Sequence, residues 1–143
     1  MAVGTEYRLH PTLANDTFRI GELGLCEARL MDDARFPWLI LVPMVGSVSE
    51  IHQLDQDRQR RLIDESSLCA RVLLEVTGAD KINIGALGNL VPQLHWHIVA
   101  RGIHDACWPG PVWGCGTRRR YRDGSASHFI ERLFDAGIRS LPG

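Results

Sequence analysis

Polar and apolar residues alternate strictly from Gln93 to Ile98, which is the period of a β-strand. Side chains two positions apart leave a strand on the same face. We therefore expect Gln93, His95 and His97 on one face and the apolar residues between them on the other. The pattern predicts a stiff wall that carries two imidazoles and one amide.

Apolar runs and periods predict the other elements of the chain. A turn rich in aspartate and closed by Pro37 separates two apolar runs of strand length, which favours an antiparallel pair. A 3.6-residue period indicates a long helix that Asp55 can cap and Gly78 can end. The predicted strands cover residues 17–24 (a strand or a loop), 25–31, 38–42, 81–86 and 93–98, and the predicted helices cover residues 55–76 and 125–136.

The order of these elements predicts the fold class. Strands, one long helix and further strands indicate an α+β fold, in which a mainly antiparallel sheet of about five strands carries the long helix on one face and a C-terminal helix follows. A chain of 143 residues fits one domain. We expect a single domain over residues 1–143, with a core over about 15–105 and a C-terminal extension over 106–143.

Composition narrows the functional classes. Lys and Arg number 16 against 17 Asp and Glu, a net charge of −1, so a nucleic-acid polymer is not an expected partner. Neither a signal peptide nor an apolar run near the roughly 20 residues of a membrane span is recognisable, so no membrane association is expected. Without a CxxC spacing, free thiols are expected at all four cysteines, which favours a cytoplasmic location. These cysteines are Cys26, Cys69, Cys107 and Cys115.

The histidine strand is suited to phosphate chemistry. Histidine exchanges protons near neutral pH, and two imidazoles on one face can engage the same phosphate, one as nucleophile and one as hydrogen-bond donor. Gln93 can add an amide N–H. The preceding stretch, residues 83–89, holds two glycines and two asparagines, and such loops let backbone N–H groups approach an anion.

A metal site is the main chemical alternative at this point. His-x-His on a strand also suits Zn²⁺, which requires a third and usually a fourth ligand. The nearby candidates His104, Asp105 and Cys107 stand at no spacing that recurs in metal sites. We therefore expect neither a metal nor another cofactor.

The stretch Gln93-x-His95-x-His97-Ile98-Val99 resembles the histidine-triad signature, His-φ-His-φ-His-φ-φ with φ apolar. The strand pair, the long helix and the strand before the motif also follow the family order, so the resemblance covers most of residues 15–105. It implies an α+β fold and a homodimer whose sheets join across the interface. It also implies a nucleotide substrate and a nucleotide hydrolase or nucleotidyl transferase activity.

The resemblance assigns roles by position. His95 is then the nucleophile, which attacks the α-phosphorus of a nucleoside phosphoramidate or dinucleoside polyphosphate and forms a covalent nucleotidyl-imidazole. His97 contacts phosphate oxygens and assists the leaving group. Asp32 occupies the position of a polar residue that binds the ribose hydroxyls, and Asn83 that of an asparagine near the phosphates. The loop residues implied to touch phosphate are Gly88, Asn89 and Leu90.

The chain departs from the family pattern at the first triad position. Gln93 stands there instead of histidine, and its amide can donate a hydrogen bond to phosphate but cannot carry a proton. A weakly active or inactive nucleotide-binding module is therefore the second functional hypothesis. Trp108 and Trp113 lie among prolines and are expected either to cover the histidine face or to form a packed C-terminal wrap.

Overall fold

The computed structural model describes residues 6–139 and contains a five-stranded sheet in the order β1-β2-β3-β5-β4. Every neighbouring pair of strands is antiparallel. The α+β fold and the number of strands predicted from the sequence are confirmed. The elements are α1 (Pro11–Asp16), β1 (Thr17–Glu22), β2 (Cys26–Met31), β3 (Trp38–Pro43), a 3₁₀ turn (Ile51–Gln53), α2 (Gln56–Thr77), β4 (Lys81–Gly85), β5 (Trp96–Arg101) and α3 (Ser125–Ala136).

The sheet is covered on both faces, so the apolar run of β3 is buried throughout. Leu39 and Leu41 belong to the core beneath α2 and α3. Ile40 and Val42 point the other way, into a second cluster that includes Leu13 of α1. This second face also carries His97, because His97 lies directly opposite Ile40 in the β3–β5 register.

The long helix α2 begins and ends as the sequence predicts. The Asp55 carboxylate accepts a hydrogen bond from the backbone N–H of Arg58 at 2.8 Å. Gly78 adopts a left-handed conformation with φ 64°, in which its N–H bonds to the carbonyl of Leu74 at 2.8 Å. The helix buries Leu62 and Leu73 against the sheet.

The predicted bounds of the histidine strand are wrong at its start. The alternation begins at Gln93, but β5 begins only at Trp96. Its first partner on β3 is Leu41, which lies opposite Trp96, and its first partner on β4 is Gly85, which lies opposite His97. Residues 93–95 pair with neither strand. Helix α1 was also not expected. It begins at Pro11, and the side chain of His10 accepts from the backbone N–H of Thr12 at 3.1 Å.

The expectation of four free thiols is wrong for two of them. Cys107 and Cys115 form a disulfide, because the loop between them reverses direction and brings their Cα atoms to 6.3 Å. Cys26 and Cys69 are free and buried. No helix within residues 6–139 is both long enough and apolar enough to span a membrane.

A buried carboxylate joins α2 to the sheet. Glu65, which is only 7% exposed, accepts the backbone N–H groups of Leu25 at 2.6 Å and Cys26 at 2.8 Å. These donors lie at the start of β2, where no neighbouring strand takes them up. Charged acceptors make stronger hydrogen bonds than neutral ones, so the contact is a strong link between helix and sheet.

We expect Glu65→Ala to lower the free energy of unfolding by about 3 kcal/mol, since it leaves two buried N–H groups without an acceptor. Urea denaturation measures this change. Glu75→Ala, an exposed position on the same helix, is the control and should change the value by less than about 0.5 kcal/mol. Equal effects of the two substitutions would show that the Glu65 contact contributes little.

Candidate functional site

The two histidines of the motif lie side by side where β5 begins. His97 is the second residue of the strand, and His95 is the residue just before the strand. Their ring centroids are 4.8 Å apart, and the residues are 5% and 8% exposed respectively. Both rings are therefore shielded from bulk water and close enough to act on one group.

A backbone carbonyl determines which nitrogen of His95 carries the proton. The Nδ1 atom lies 2.7 Å from the carbonyl oxygen of Gln93. A carbonyl oxygen only accepts hydrogen bonds, so Nδ1 must be the protonated nitrogen. In the neutral ring, Nε2 then keeps a free lone pair. This is the form of imidazole that can attack an electrophile.

An indole N–H sets the opposite tautomer at His97. Trp38 Nε1 donates to His97 Nδ1 at 3.0 Å, and an indole can only donate. Nδ1 is thus the acceptor, which places the proton of the neutral ring on Nε2. Burial, together with the neighbouring His95, lowers the pKa of His97 to about 3, so the ring is neutral at physiological pH. His97 is a neutral hydrogen-bond donor beside a nucleophilic ring.

A cavity of about 520 Å³ opens beside the histidines. Leu13, Val91 and Val112 form part of its apolar wall. Trp113 closes the side near β4 and β5, with its ring centroid 5.4 Å from that of His97. The indole packs closely on Gly85, since a Cβ atom there would lie 3.1 Å from Trp113 and the ring would have to shift slightly.

The charged groups of the cavity wall are paired. Arg35 Nη2 bonds to Asp33 Oδ2 at 2.8 Å, and Arg118 lies 3.4 Å from Asp16. Burial opposes ionisation of Asp33, but the hydrogen bonds from Arg35 and from backbone N–H groups outweigh it and hold the pKa of that carboxyl below its usual range. Two carboxylates and two guanidinium groups thus leave the wall close to neutral.

Comparison with known proteins agrees with this geometry. A family model described as the HIT domain matches residues 12–104, which is more than half of the chain. The chain belongs to the HIT domain family. No curated protein matched the sequence in the corresponding comparison.

Solved structures of histidine triad proteins resemble this HIT chain over nearly its full length. The protein from Bradyrhizobium japonicum is 44% identical, with a TM-score of 0.89 over 92% of this chain and 98% of its own. Those from Sinorhizobium meliloti and Marinobacter aquaeolei are 45% and 42% identical. Each has a TM-score of 0.89. The Sinorhizobium meliloti protein matches 91% of this chain and the Marinobacter aquaeolei protein 92%, and in both cases the match covers 96% of the other chain.

Five of the eight residues predicted for the HIT site line the cavity. They are His95, His97, Gly88, Asn89 and Leu90. The loop that carries the last three bends at Gly88, whose φ of 77° is readily adopted only by glycine. The loop therefore brings backbone groups to the cavity rim, as the sequence predicted, whereas its role toward phosphate stays a prediction.

Asp32, Asn83 and Gln93 do not line this cavity, because other groups occupy their side chains. Asp32 accepts from Arg120 and from the backbone N–H of Tyr121, each at 2.8 Å. Asn83 Oδ1 accepts from the buried guanidinium of Arg101 at 2.9 Å.

The amide of Gln93 is likewise engaged. It bonds to the backbone of Arg8 and His10, each at 2.8 Å. The amide thus binds the N-terminal segment, and Gln93 lines a neighbouring cavity of about 370 Å³ that it shares with His95 and Gly88.

The sequence analysis missed several residues of the site. Trp38 could have been found, because it lies on a predicted strand and its indole needs an acceptor when buried. Leu13 and Asp16 could not, since they belong to a six-residue helix too short to show a period. The sequence allowed two positions for Trp108 and Trp113, over the histidine face or in a packed C-terminal wrap. Trp113 lines the cavity, whereas Trp108 lies beside Arg101, with 5.8 Å between the guanidinium and the ring centroid.

We expect that His97 in Trp38→Phe is no longer restricted to the tautomer with the proton on Nε2. Phenylalanine fills most of the space of the indole but has no N–H to donate to His97 Nδ1. Long-range ¹H–¹⁵N NMR of the histidine rings reports the tautomer. At about pH 5, the wild type should show His97 neutral and protonated on Nε2, and the variant a mixture that includes Nδ1–H or the imidazolium.

Trp96→Phe is the matched control, since the Trp96 indole donates instead to Ser66 Oγ, at 2.8 Å. It should leave the His97 spectrum unchanged. An Nε2–H signal that persists unaltered in Trp38→Phe would contradict the assignment.

Proposed function

We propose that this chain is a nucleotide hydrolase or nucleotidyl transferase that acts at the α-phosphate through a covalent nucleotidyl-His95 intermediate. The observation that carries the proposal is the pair of opposite tautomers. His95 presents a lone pair at Nε2, and the adjacent His97 presents an N–H. A nucleophile and a donor on neighbouring rings suit attack on phosphorus with stabilisation of its oxygens.

The reaction proceeds in two displacements. His95 Nε2 attacks the α-phosphorus, a P–N bond forms, and the bond to the leaving group breaks with its electron pair. The Nε2–H of His97 donates to a phosphoryl oxygen, where negative charge is concentrated. Water or another acceptor hydroxyl then attacks the phosphorus on the side opposite the P–N bond and gives its proton to solvent. The P–N bond breaks with its electron pair returning to Nε2, which frees His95 and releases the nucleotide product.

The cavity supplies a nucleoside pocket next to this phosphate position. Its volume of about 520 Å³ lies within the range of small-molecule sites, and its apolar wall with Trp113 suits a planar base. Asp33 is 2% exposed and fully engaged by Arg35, whereas Asp16 is half-buried at the cavity edge. Asp16 is therefore the better acceptor for ribose hydroxyls, a role that the resemblance gave to Asp32.

Charge favours the phosphoramidate over the dinucleoside polyphosphate. A polyphosphate brings several negative charges, which proteins commonly neutralise with free arginine or lysine side chains. Within the described part of the chain, both arginines of the cavity wall, Arg35 and Arg118, are already paired with carboxylates. A substrate with a single charged phosphate fits this balance better.

Two other functions predict different results. A nucleotide-binding module without turnover would use the same cavity but form no adduct. A metal site would need further ligands beside the two histidines, and residues 6–139 contain no group of three or more His, Cys, Asp or Glu side chains placed to hold an ion. The adduct is therefore the decisive observation.

Rapid acid or base quench after mixing with a nucleoside phosphoramidate should leave a nucleotidyl group on the wild-type protein, visible in its intact mass. His95→Gln should form no adduct and lose activity by about three orders of magnitude or more, since the attacking nitrogen is gone. His104→Gln, an exposed histidine outside the cavity, is the control and should behave as wild type.

The mass and the turnover together separate the alternatives. Turnover of His95→Gln at the wild-type rate would exclude the nucleophile assignment. Nucleotide binding with no turnover by the wild type would support the binding module instead.

We propose further that the chain forms a homodimer. The two copies would meet at the edge strand β4. Within residues 6–139, β4 pairs with no strand other than β5, so its other side presents an open edge of backbone N–H and C=O groups. Ile84 on this strand is 46% exposed, so the open edge also carries an apolar side chain. A second copy of the chain would cover both features and continue the sheet.

Sedimentation velocity should therefore show a dimer for the wild type and a monomer for Ile84→Glu, because a carboxylate at the joined edge would be buried without a partner. Phe18→Glu, at an exposed apolar position on the opposite edge strand β1, is the control and should remain dimeric. A monomeric wild type, or a dimeric Ile84→Glu, would exclude this interface.

A further inference from the structure

Gln93, the residue at the first triad position, bonds to the N-terminal segment through both polar atoms of its amide. Its Oε1 accepts from the backbone N–H of His10, and its Nε2 donates to the backbone carbonyl of Arg8, both at 2.8 Å. The partners lie 83 and 85 residues away in the sequence. The side chain therefore joins two distant parts of the chain.

The segment that Gln93 holds leads directly into a wall of the cavity. His10 carries the cap of α1, because its Nδ1 accepts the N–H of Thr12 at 3.1 Å. Three positions of α1 then line the cavity: Thr12, Leu13, which is 4% exposed, and Asp16, which is paired with Arg118. The position of this wall thus depends on where residues 8 and 10 are fixed.

A glutamine amide fits this task better than an imidazole does. The amide offers an acceptor and a donor side by side on one planar group, which complements a C=O and an N–H on the edge of an extended segment. Imidazole also has a donor and an acceptor, but on ring nitrogens that point in divergent directions. Histidine at position 93 can therefore satisfy one of the two backbone groups and not both.

We propose that Gln93 is a positioning residue that holds residues 8–16 as the nucleoside-side wall of the cavity. The first triad position in this chain then serves affinity for the nucleotide and makes no contact with the phosphate. The proposal rests on the proposed function for the identity of the ligand. The two hydrogen bonds from Gln93 to residues 8 and 10, called the Gln93 clamp below, are present in the protein without a ligand.

Hydrogen exchange of the ligand-free protein tests the clamp. In Gln93→Ala and Gln93→His, the backbone amide of His10 should exchange about five- to tenfold faster than in the wild type, because its acceptor is lost or displaced. Gln53→Ala is the matched control. That glutamine accepts backbone N–H groups of Ser49 and Glu50 at 2.9 and 3.1 Å, and its loss should leave His10 unchanged.

Nucleotide affinity and steady-state kinetics test the consequence. Gln93→Ala and Gln93→His should each raise the Kd of a nucleoside monophosphate and the KM of a phosphoramidate by about fivefold or more, with kcat within about twofold of wild type. Gln93→His is the sharpest variant because it restores the complete triad pattern. A phosphate-contacting role would instead let histidine preserve or increase kcat at unchanged KM.

The outcomes separate this proposal from the function on which it rests. Unchanged exchange at His10 in both variants, or a fall in kcat at constant KM, would overturn the positioning role. If the wild type binds no nucleoside monophosphate, the proposed function fails, and the exchange rates alone then decide whether Gln93 holds the segment.

Discussion

In the register between β3 and β5, Ile40 lies opposite His97 and Trp38 opposite Val99. This pairing places the His97 ring on the face of the sheet away from α2 and brings the Trp38 indole within 3.0 Å of its Nδ1. Slippage by one residue would turn His97 into the helix-side core, since side chains alternate between faces. The tautomer, the low pKa and the access of His97 to the cavity all depend on this one register.

The second face of the sheet would be exposed without two segments outside the strands. Helix α1 and the loop that follows β5 cover it, and they contribute Leu13, Val112 and Trp113 to the cavity wall. Polar side chains fix these coverings in place: Gln93 holds the N-terminal segment, and Asp32 and Arg35 hold the loop after β5. The face that carries His97 is therefore built by strands, whereas the cavity wall is completed by segments attached to it.

Local patterns could predict the elements but not these attachments. The period of α2, its cap at Asp55 and its end at Gly78 are encoded within a few residues, and the sequence predicted them well. The alternation of polar and apolar residues predicted His95 and His97 on one face, and their ring centroids lie 4.8 Å apart. The clamp of Gln93 spans more than 80 residues, and the Cys107–Cys115 bridge follows from a loop reversal, so neither leaves a local pattern. Asp32 and Asn83 were assigned by position, whereas their hydrogen bonds depend on Arg120 and Arg101 from other parts of the chain.

The proposed function requires a nucleotide α-phosphate to bind between the Nε2 atoms of His95 and His97. A crystal structure with a bound nucleoside monophosphate tests it most directly. We expect phosphate oxygens at about 3 Å from His97 Nε2, the phosphorus facing His95 Nε2, and the base against the apolar wall that includes Trp113. A nucleotide whose phosphate lies out of reach of both rings would contradict the account.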